Sequence, residues 1–212
     1  MKLYSFFRSG TSHRLRIALN LKGLTYEQVA VDLRREEHLR DEYRSINPQQ
    51  LVPALDIDAV TMTQTPAIIE WLEERYPQAP LLPQDPIDRA HACALAAIIG
   101  CDVHPVNNRR ILEALRHRFK ADQAAIDEWC STWISSGFSA FEALLSARGS
   151  DHGFSFGDAP TLADAYLIPQ IESARRFKVD LAQWPRLLAI DEACGKLDAF
   201  QRAAPVAQPD AS

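Results

Sequence analysis

The sequence predicts a small α/β domain followed by an all-α domain. Three observations predict it. Strand-like and helix-like runs alternate up to about Tyr76. Pro77, Pro80, Pro83 and Pro86 then recur every third residue, a spacing that no helix or central strand survives. Beyond them the apolar residues fall at helical spacing. The expected domains are therefore residues 1–79 and 87–212, joined by a linker over 80–86.

Lys2 to Phe6 reads as a strand. It leads into Ser9-Gly10-Thr11-Ser12-His13-Arg14-Leu15-Arg16-Ile17-Ala18-Leu19, a helix closed near Gly23. Small hydroxyl residues crowd the start of this helix, where Ser and Thr are favoured caps. Backbone N–H groups and the positive end of the helix dipole make the same place hospitable to an anion, a thiolate included. Taken alone, these features also fit an ordinary capped helix. Tyr26 to Leu33 alternates like a half-buried strand, and Glu36 to Ile46 is a charged helix that Asn47-Pro48 ends. Val52-Pro53-Ala54-Leu55 starts a further strand, and Leu55 to Met62 is a hairpin turning near Asp58-Ala59. Thr65, as cap, and Pro66, at the first helical position, open a helix to about Tyr76.

After the prolines, His91 to Cys101 is an alanine-rich helix and Pro105 opens the next. Asp122 to Leu145 carries an aromatic stripe at helical spacing, which reads as core. Thr161-Leu162-Ala163-Asp164 is a capping box before an apolar helix. The tail from Ala203 reads as loosely ordered.

Composition excludes several classes of function. The 212 residues are 47% hydrophobic with a net charge of −5, which argues against a nucleic-acid binder. No apolar run approaches the ~20 residues of a membrane span, and nothing has signal-peptide form. Cys93, Cys101, Cys130 and Cys194 show no metal-ligand spacing, and we read them as reduced thiols of a cytoplasmic protein, mostly in the core.

The α/β domain, the proline before the third strand, the proline-rich linker and the capped all-α domain together resemble the soluble glutathione transferases. Ser9 to Leu19 is similar to the zeta-class signature Ser-x-Cys-x-x-Arg-x-Arg-Ile-Ala-Leu. Asn47-Pro48 through Val52-Pro53, Gln64 to Ile69 and Arg176 to Leu181 match the same class, and the likeness runs to Gln208-Pro209-Asp210. Ser9 to His13 and Cys101 to Arg110 look especially similar to the maleylpyruvate-isomerising branch. Thr11 departs from the pattern, which has Cys there, and Leu51 stands where many transferases carry a polar side chain.

The resemblance implies the glutathione-transferase fold, a thioredoxin-like βαβαββα domain followed by an all-α substrate domain. It implies a glutathione-dependent cis–trans isomerase, turning maleylpyruvate into fumarylpyruvate by thiolate addition, bond rotation and elimination. The same chemistry on maleylacetoacetate, or a general transferase, stays open. Ser9 is the expected donor to the glutathione sulfur, with Thr11 a weaker second donor. Val52, presented by a cis Pro53, would meet the cysteinyl part through its backbone. Gln64 and Thr65 would hold the γ-glutamyl end, and His38 and Gln50 the glycyl carboxylate, although His38 fits a solvated side chain equally well. Asp102 and His104 are candidates from the α domain. The substrate is a small dicarboxylate, and arginine pairs bidentately with carboxylates. Arg8, Arg176, Arg110 and Arg109 are the candidates, with one of the adjacent pair facing the site. Asn108 would bond the substrate or only cap a helix. Arg14 and Arg16 are expected in structural ion pairs. A homodimer is expected by analogy with the family, with no metal, nucleic acid or membrane involved.

Overall fold

The computed structural model describes residues 1–149 and 153–211. The chain forms two compact units. One comprises residues 1–81 together with 196–212, the other residues 82–195.

In the first unit, β1 (Lys2–Ser5), α1 (Gly10–Leu21), β2 (Glu27–Ala30), α2 (Asp41–Ile46), β3 (Ala54–Ile57), β4 (Val60–Thr63) and α3 (Thr65–Arg75) follow one another. This is the expected βαβαββα order. The sheet runs β2-β1-β3-β4. β1 and β2 are parallel, and α1 is the crossover that a parallel pair needs. β3 and β4 are an antiparallel hairpin. Its turn residues, Asp58 and Ala59, both have positive φ, as a two-residue hairpin turn requires. Leu3 faces Leu55 across the β1–β3 register, and both are fully buried. The stretch expected as one helix from Glu36 to Ile46 is instead a 3-10 turn, Glu37–Leu39, and the short α2, with another 3-10 turn, Leu33–Arg35, just before it. Glu36, between the two turns, takes the left-handed conformation that breaks a helix.

Every residue of α1 from Ser12 to Asn20 is buried. α9 (Asp198–Ala203) packs on α1, as does α3. Residues 196–212, expected with the helical domain, thus complete the first unit. The expected loose tail from Ala203 is bonded instead. Gln208 Nε2 donates to the carbonyls of Arg202 and Ala204, each at 2.8 Å. Asp210 accepts from Phe7 N–H and from Gln28.

The second unit holds α4 (Pro86–Ala97), α5 (Arg109–Phe119), α6 (Gln123–Ala147), α7 (Leu162–Arg176) and α8 (Pro185–Gly195). α4 runs on into a π-helical turn, Ile98–Val103. α5 starts at Arg109 rather than Pro105, because Asn108 caps it, its side chain accepting from Arg110 N–H at 3.1 Å. α7 is the central helix, buried at every position from Ala163 to Ile171 and packed on α4, α6 and α8. Its capping box forms. The Asp164 carboxylate accepts from Thr161 N–H at 2.6 Å, Thr161 Oγ1 at 3.0 Å and Ser155 N–H at 2.9 Å. Cys130 and Cys194 are buried, whereas Cys93 and Cys101 are exposed, so only half of the cysteines are core. Among the described residues no helix is long and apolar enough to cross a membrane.

Candidate functional site

The first unit places one cluster of the candidates at the start of α1. Ser9 is the N-cap, and its Oγ accepts from Ser12 N–H at 3.3 Å. Ser9 Oγ lies 3.0 Å from Thr11 Oγ1, and Thr11 Oγ1 donates to the Val52 carbonyl at 2.9 Å. A hydroxyl has one proton, and a carbonyl only accepts. Thr11 therefore uses its proton on Val52, and Ser9 is the donor in the Ser9–Thr11 bond. Thr11, expected as a second donor, acts as the acceptor and as the tie to Val52. Ser9 and Thr11 are half-buried, Val52 and Pro53 are buried, and the Val52–Pro53 bond is cis.

Gly10 and Thr11 open a helix whose first N–H groups have no intrahelical partner, so the dipole end and a hydroxyl proton converge on one place. His13, one turn on, adds no charge there. Burial, with the Arg16 guanidinium beside it, pushes its imidazole down to about 3.

α3 begins one residue earlier than expected, with Gln64, not Thr65, at the cap. Gln64 has positive φ and makes no side-chain cap bond, which leaves the first turn of α3 uncapped. Its amide instead donates to Gln49 Oε1. Thr65 is buried and accepts from Arg14 Nη1 at 3.1 Å. Gln50 also has positive φ, and with its amide turned to suit its neighbours it accepts from Arg44 Nε and Nη2 at 2.6 and 3.1 Å. His38 sits half-buried in the Glu37–Leu39 turn. Arg8 is exposed, its guanidinium 5.9 Å from the centre of the Phe7 ring. Arg16, expected in an ion pair, is fully buried on uncharged acceptors: Ala203 O, Ser5 Oγ and Phe7 O.

The remaining candidates lie in the second unit. Asp102 is exposed on the π-helical turn and half-buried His104 follows it. The amide oxygen of Asn108 is engaged as the helix cap. Arg109 and Arg110 are exposed in the first turn of α5, which contains no acid. Two cations at the positive end of a helix dipole are disfavoured by about 0.3–1 kcal/mol each, and a carboxylate arriving there relieves both. Arg176 ends α7, exposed, with Nη2 donating to Ser173 Oγ at 3.2 Å and its guanidinium 4.9 Å from the centre of the Phe177 ring. Its charge also reaches α6. Burial pushes the Cys130 thiol up to about 11, and Arg176 is the largest influence acting against that rise.

Sequence reasoning missed three features. Gln49 was overlooked beside Gln50, although both sit in the same Asn47-Pro48 stretch. Asn107 is buried, and among the described residues neither of its amide atoms has a hydrogen-bond partner, unlike its capping neighbour. The hold of Asp210 on Phe7 has no signal in the sequence, because it joins residues 203 positions apart.

Residues 3–80 match the family described as Glutathione S-transferase, N-terminal domain, and residues 123–193 match Glutathione S-transferase, C-terminal domain. The chain is 65% identical, over the full length of both, to a maleylpyruvate isomerase of Ralstonia. It is 45% identical to a maleylacetoacetate isomerase of Pseudomonas aeruginosa, covering 99% of this chain and 98% of that one. Among solved structures, it superposes with a TM-score of 0.99 on the holo structure of a maleylpyruvate isomerase described as a bacterial zeta-class glutathione S-transferase, at 65% identity and full coverage of both chains. A maleylacetoacetate isomerase of Methylobacterium extorquens, solved with malonate and glutathione bound, gives a TM-score of 0.95 at 37% identity, again over the whole of both chains.

Proposed function

Because the chain belongs to the glutathione S-transferase family, and within it to the zeta class, we propose that it is a glutathione-dependent cis–trans isomerase converting maleylpyruvate to fumarylpyruvate. The observation that carries this reading is the Ser9–Thr11–Val52 chain at the start of α1, in a sequence 65% identical to a maleylpyruvate isomerase over its whole length.

Glutathione, when bound, supplies the sulfur nucleophile that makes the double bond transiently single. The residues of this chain supply the rest. A free thiol has a pKa of about 8.5, so holding it mostly ionised at neutral pH takes about two units, or ~2.7 kcal/mol. Ser9 redirects its proton from Thr11 to the sulfur, a charge-assisted bond of about 1.5–3 kcal/mol. The start of α1 adds about 0.3–1 kcal/mol through its dipole. The two together are of the size required. Thr11 keeps its proton on Val52 and so holds the backbone that receives the cysteinyl part.

Gln64 and Thr65 at the uncapped start of α3, with Gln49 held against Gln64, receive the γ-glutamyl end. His38 and Gln50 serve the glycyl carboxylate, with Asp102 and His104 as further contacts. Arg8, Arg176 and one of Arg109 and Arg110 bind the substrate carboxylates, and Asn108 orients them. The malonate-bound relative supports a dicarboxylate as the substrate class. Family analogy supports a cytoplasmic homodimer, and exposed Trp133 and Leu144 on one face of α6 offer apolar surface for the second copy.

The test is isomerisation of maleylpyruvate and maleylacetoacetate, each with and without glutathione. The expected result is glutathione-dependent turnover with maleylpyruvate preferred. Full activity without glutathione would overturn the reading, and preference for maleylacetoacetate would move the substrate by one homologue.

A further inference from the structure

Phe7 is held on both sides. Its N–H donates to Asp210 Oδ2 at 2.9 Å, and its carbonyl accepts from Arg16 Nη2, also at 2.9 Å. Arg16 in turn donates through Nε to Ala203 O at 2.9 Å and through Nη1 to Ser5 Oγ at 3.0 Å. The second oxygen of Asp210 accepts from Gln28 Nε2 at 3.0 Å, so both carboxylate oxygens are engaged. Both peptide groups flanking Phe7 are thus tied, directly or through Arg16, to residues 203 and 210.

The next two residues are Arg8 and Ser9. The turn that carries them closes on one backbone bond, from Ser9 N–H to Phe6 O at 3.0 Å. A turn with one internal bond is soft, whereas a charge-assisted bond to sulfur depends on placing the Ser9 hydroxyl to within a fraction of an ångström. The stiffness has to come from outside the turn: α1 anchors the Ser9 end, through His13 N–H to Ser9 O at 2.8 Å and Ser12 N–H to Ser9 Oγ at 3.3 Å, and at the Phe7 end Asp210 is the only carboxylate among the described residues bonded to the backbone. Nothing in the reaction requires this aspartate to touch glutathione or substrate.

We propose that Asp210 is a positioning residue of the isomerase. It clamps the Phe6–Ser9 turn from the returning segment, and so sets the Ser9 hydroxyl against the sulfur and Arg8 against the substrate. The proposal rests on the reading of Ser9 as the donor to glutathione sulfur. The purely structural alternative is that Asp210 serves as the nearby anion for buried Arg16.

The experiment measures the thiolate absorbance of bound glutathione against pH, with steady-state kinetics, in Asp210→Asn, Ser9→Ala and the double variant. Asp210→Asn is expected to raise the bound thiol pKa by about half a unit to one unit. It should also lower kcat about three- to tenfold, with a smaller change in KM. In the Ser9→Ala background it should add no further pKa shift, because the effect passes through Ser9. An unchanged pKa in Asp210→Asn, or an equal shift in both backgrounds, would overturn the proposal. An unchanged pKa in Ser9→Ala would overturn the reading of the site itself, so the two failures are told apart. Should Asp210→Asn not fold, Gln28→Met removes only the donor that orients Asp210. It is expected to shift the pKa in the same direction by less, and no shift there would equally overturn the proposal.

Discussion

Arginine pairs with a carboxylate through two parallel bonds, and the cations of this chain are unequal in how freely they offer that fork. Arg8 lies against the Phe7 ring, Arg176 is braced by Ser173 and Phe177, and both side chains are exposed. Arg8→Ala and Arg176→Ala are each expected to weaken substrate handling far more than glutathione binding. The loss should be about 2–3 kcal/mol, or roughly 30- to 150-fold in kcat/KM. Arg8, next to Ser9, should lose more in kcat, and Arg176 more in KM. Lysine at either position should restore only part, keeping the charge without the fork. Steady-state kinetics beside glutathione affinity decide it, and equal losses in both would remove these arginines from the substrate site. At this scale the sequence was legible where chemistry is local. Ser9 reads as a cap from its neighbours alone. That Thr11 gives its proton to Val52 was not legible, because the acceptor lies 41 positions away and only the folded sheet brings it there.

Elements were legible by type and less so by boundary. The capping box of α7 could be read because all its parts lie within four residues. The start of α5 was misplaced because Pro105 suits a first helical turn, while Asn108, a real cap, wins locally. The π-helical turn after α4 has no sequence period of its own, and tertiary packing accounts for it. A Cβ on Gly137 of α6 would run into Val103 Cγ2, at the end of that turn, so the glycine is what lets turn and helix approach. Gly137→Ala therefore sets a gain of about 1 kcal/mol in helix propensity against an overpacking cost of about 1–3 kcal/mol. The clash involves a stiff β-branched side chain, and net destabilisation is expected. Gly195→Ala in α8, where a Cβ meets nothing within 4 Å, should be neutral or stabilising. Urea unfolding of both variants checks this, and a Gly137→Ala protein as stable as its parent would show that Val103 yields without cost.

Across the whole molecule, acid stability should follow one buried imidazole. His13 titrates at about 3 in the fold against 6.5 ordinarily, chiefly because it is buried. As pH falls below about 6.5 the unfolded chain takes up a proton that the folded one refuses until about 3, so stability falls across that window. Asp164 works in the other sense. Burial raises its carboxyl, so its contribution is fullest at low pH and is lost as pH rises through the raised value. His13→Leu is expected to flatten the loss of stability between about pH 6.5 and pH 4. Urea midpoints against pH measure it, and parallel curves for variant and parent would clear His13 of the role.

The two-unit division was legible from the proline run, but the membership of residues 196–212 was not, since an alanine- and proline-rich stretch carries no mark of what it will pack on. That membership bears on how the protein is made. The first unit is interrupted in sequence by the whole of the second, so a ribosome delivers Ser9 early and Asp210 only after every helix of the second unit has emerged. A nascent chain that has reached only Gly195 holds all the candidate glutathione ligands of the first unit without the clamp proposed to set them. By the role proposed for Asp210, the chain reaches its full rate only once synthesis has passed that residue, and a chain stopped short of it is expected to turn over more slowly.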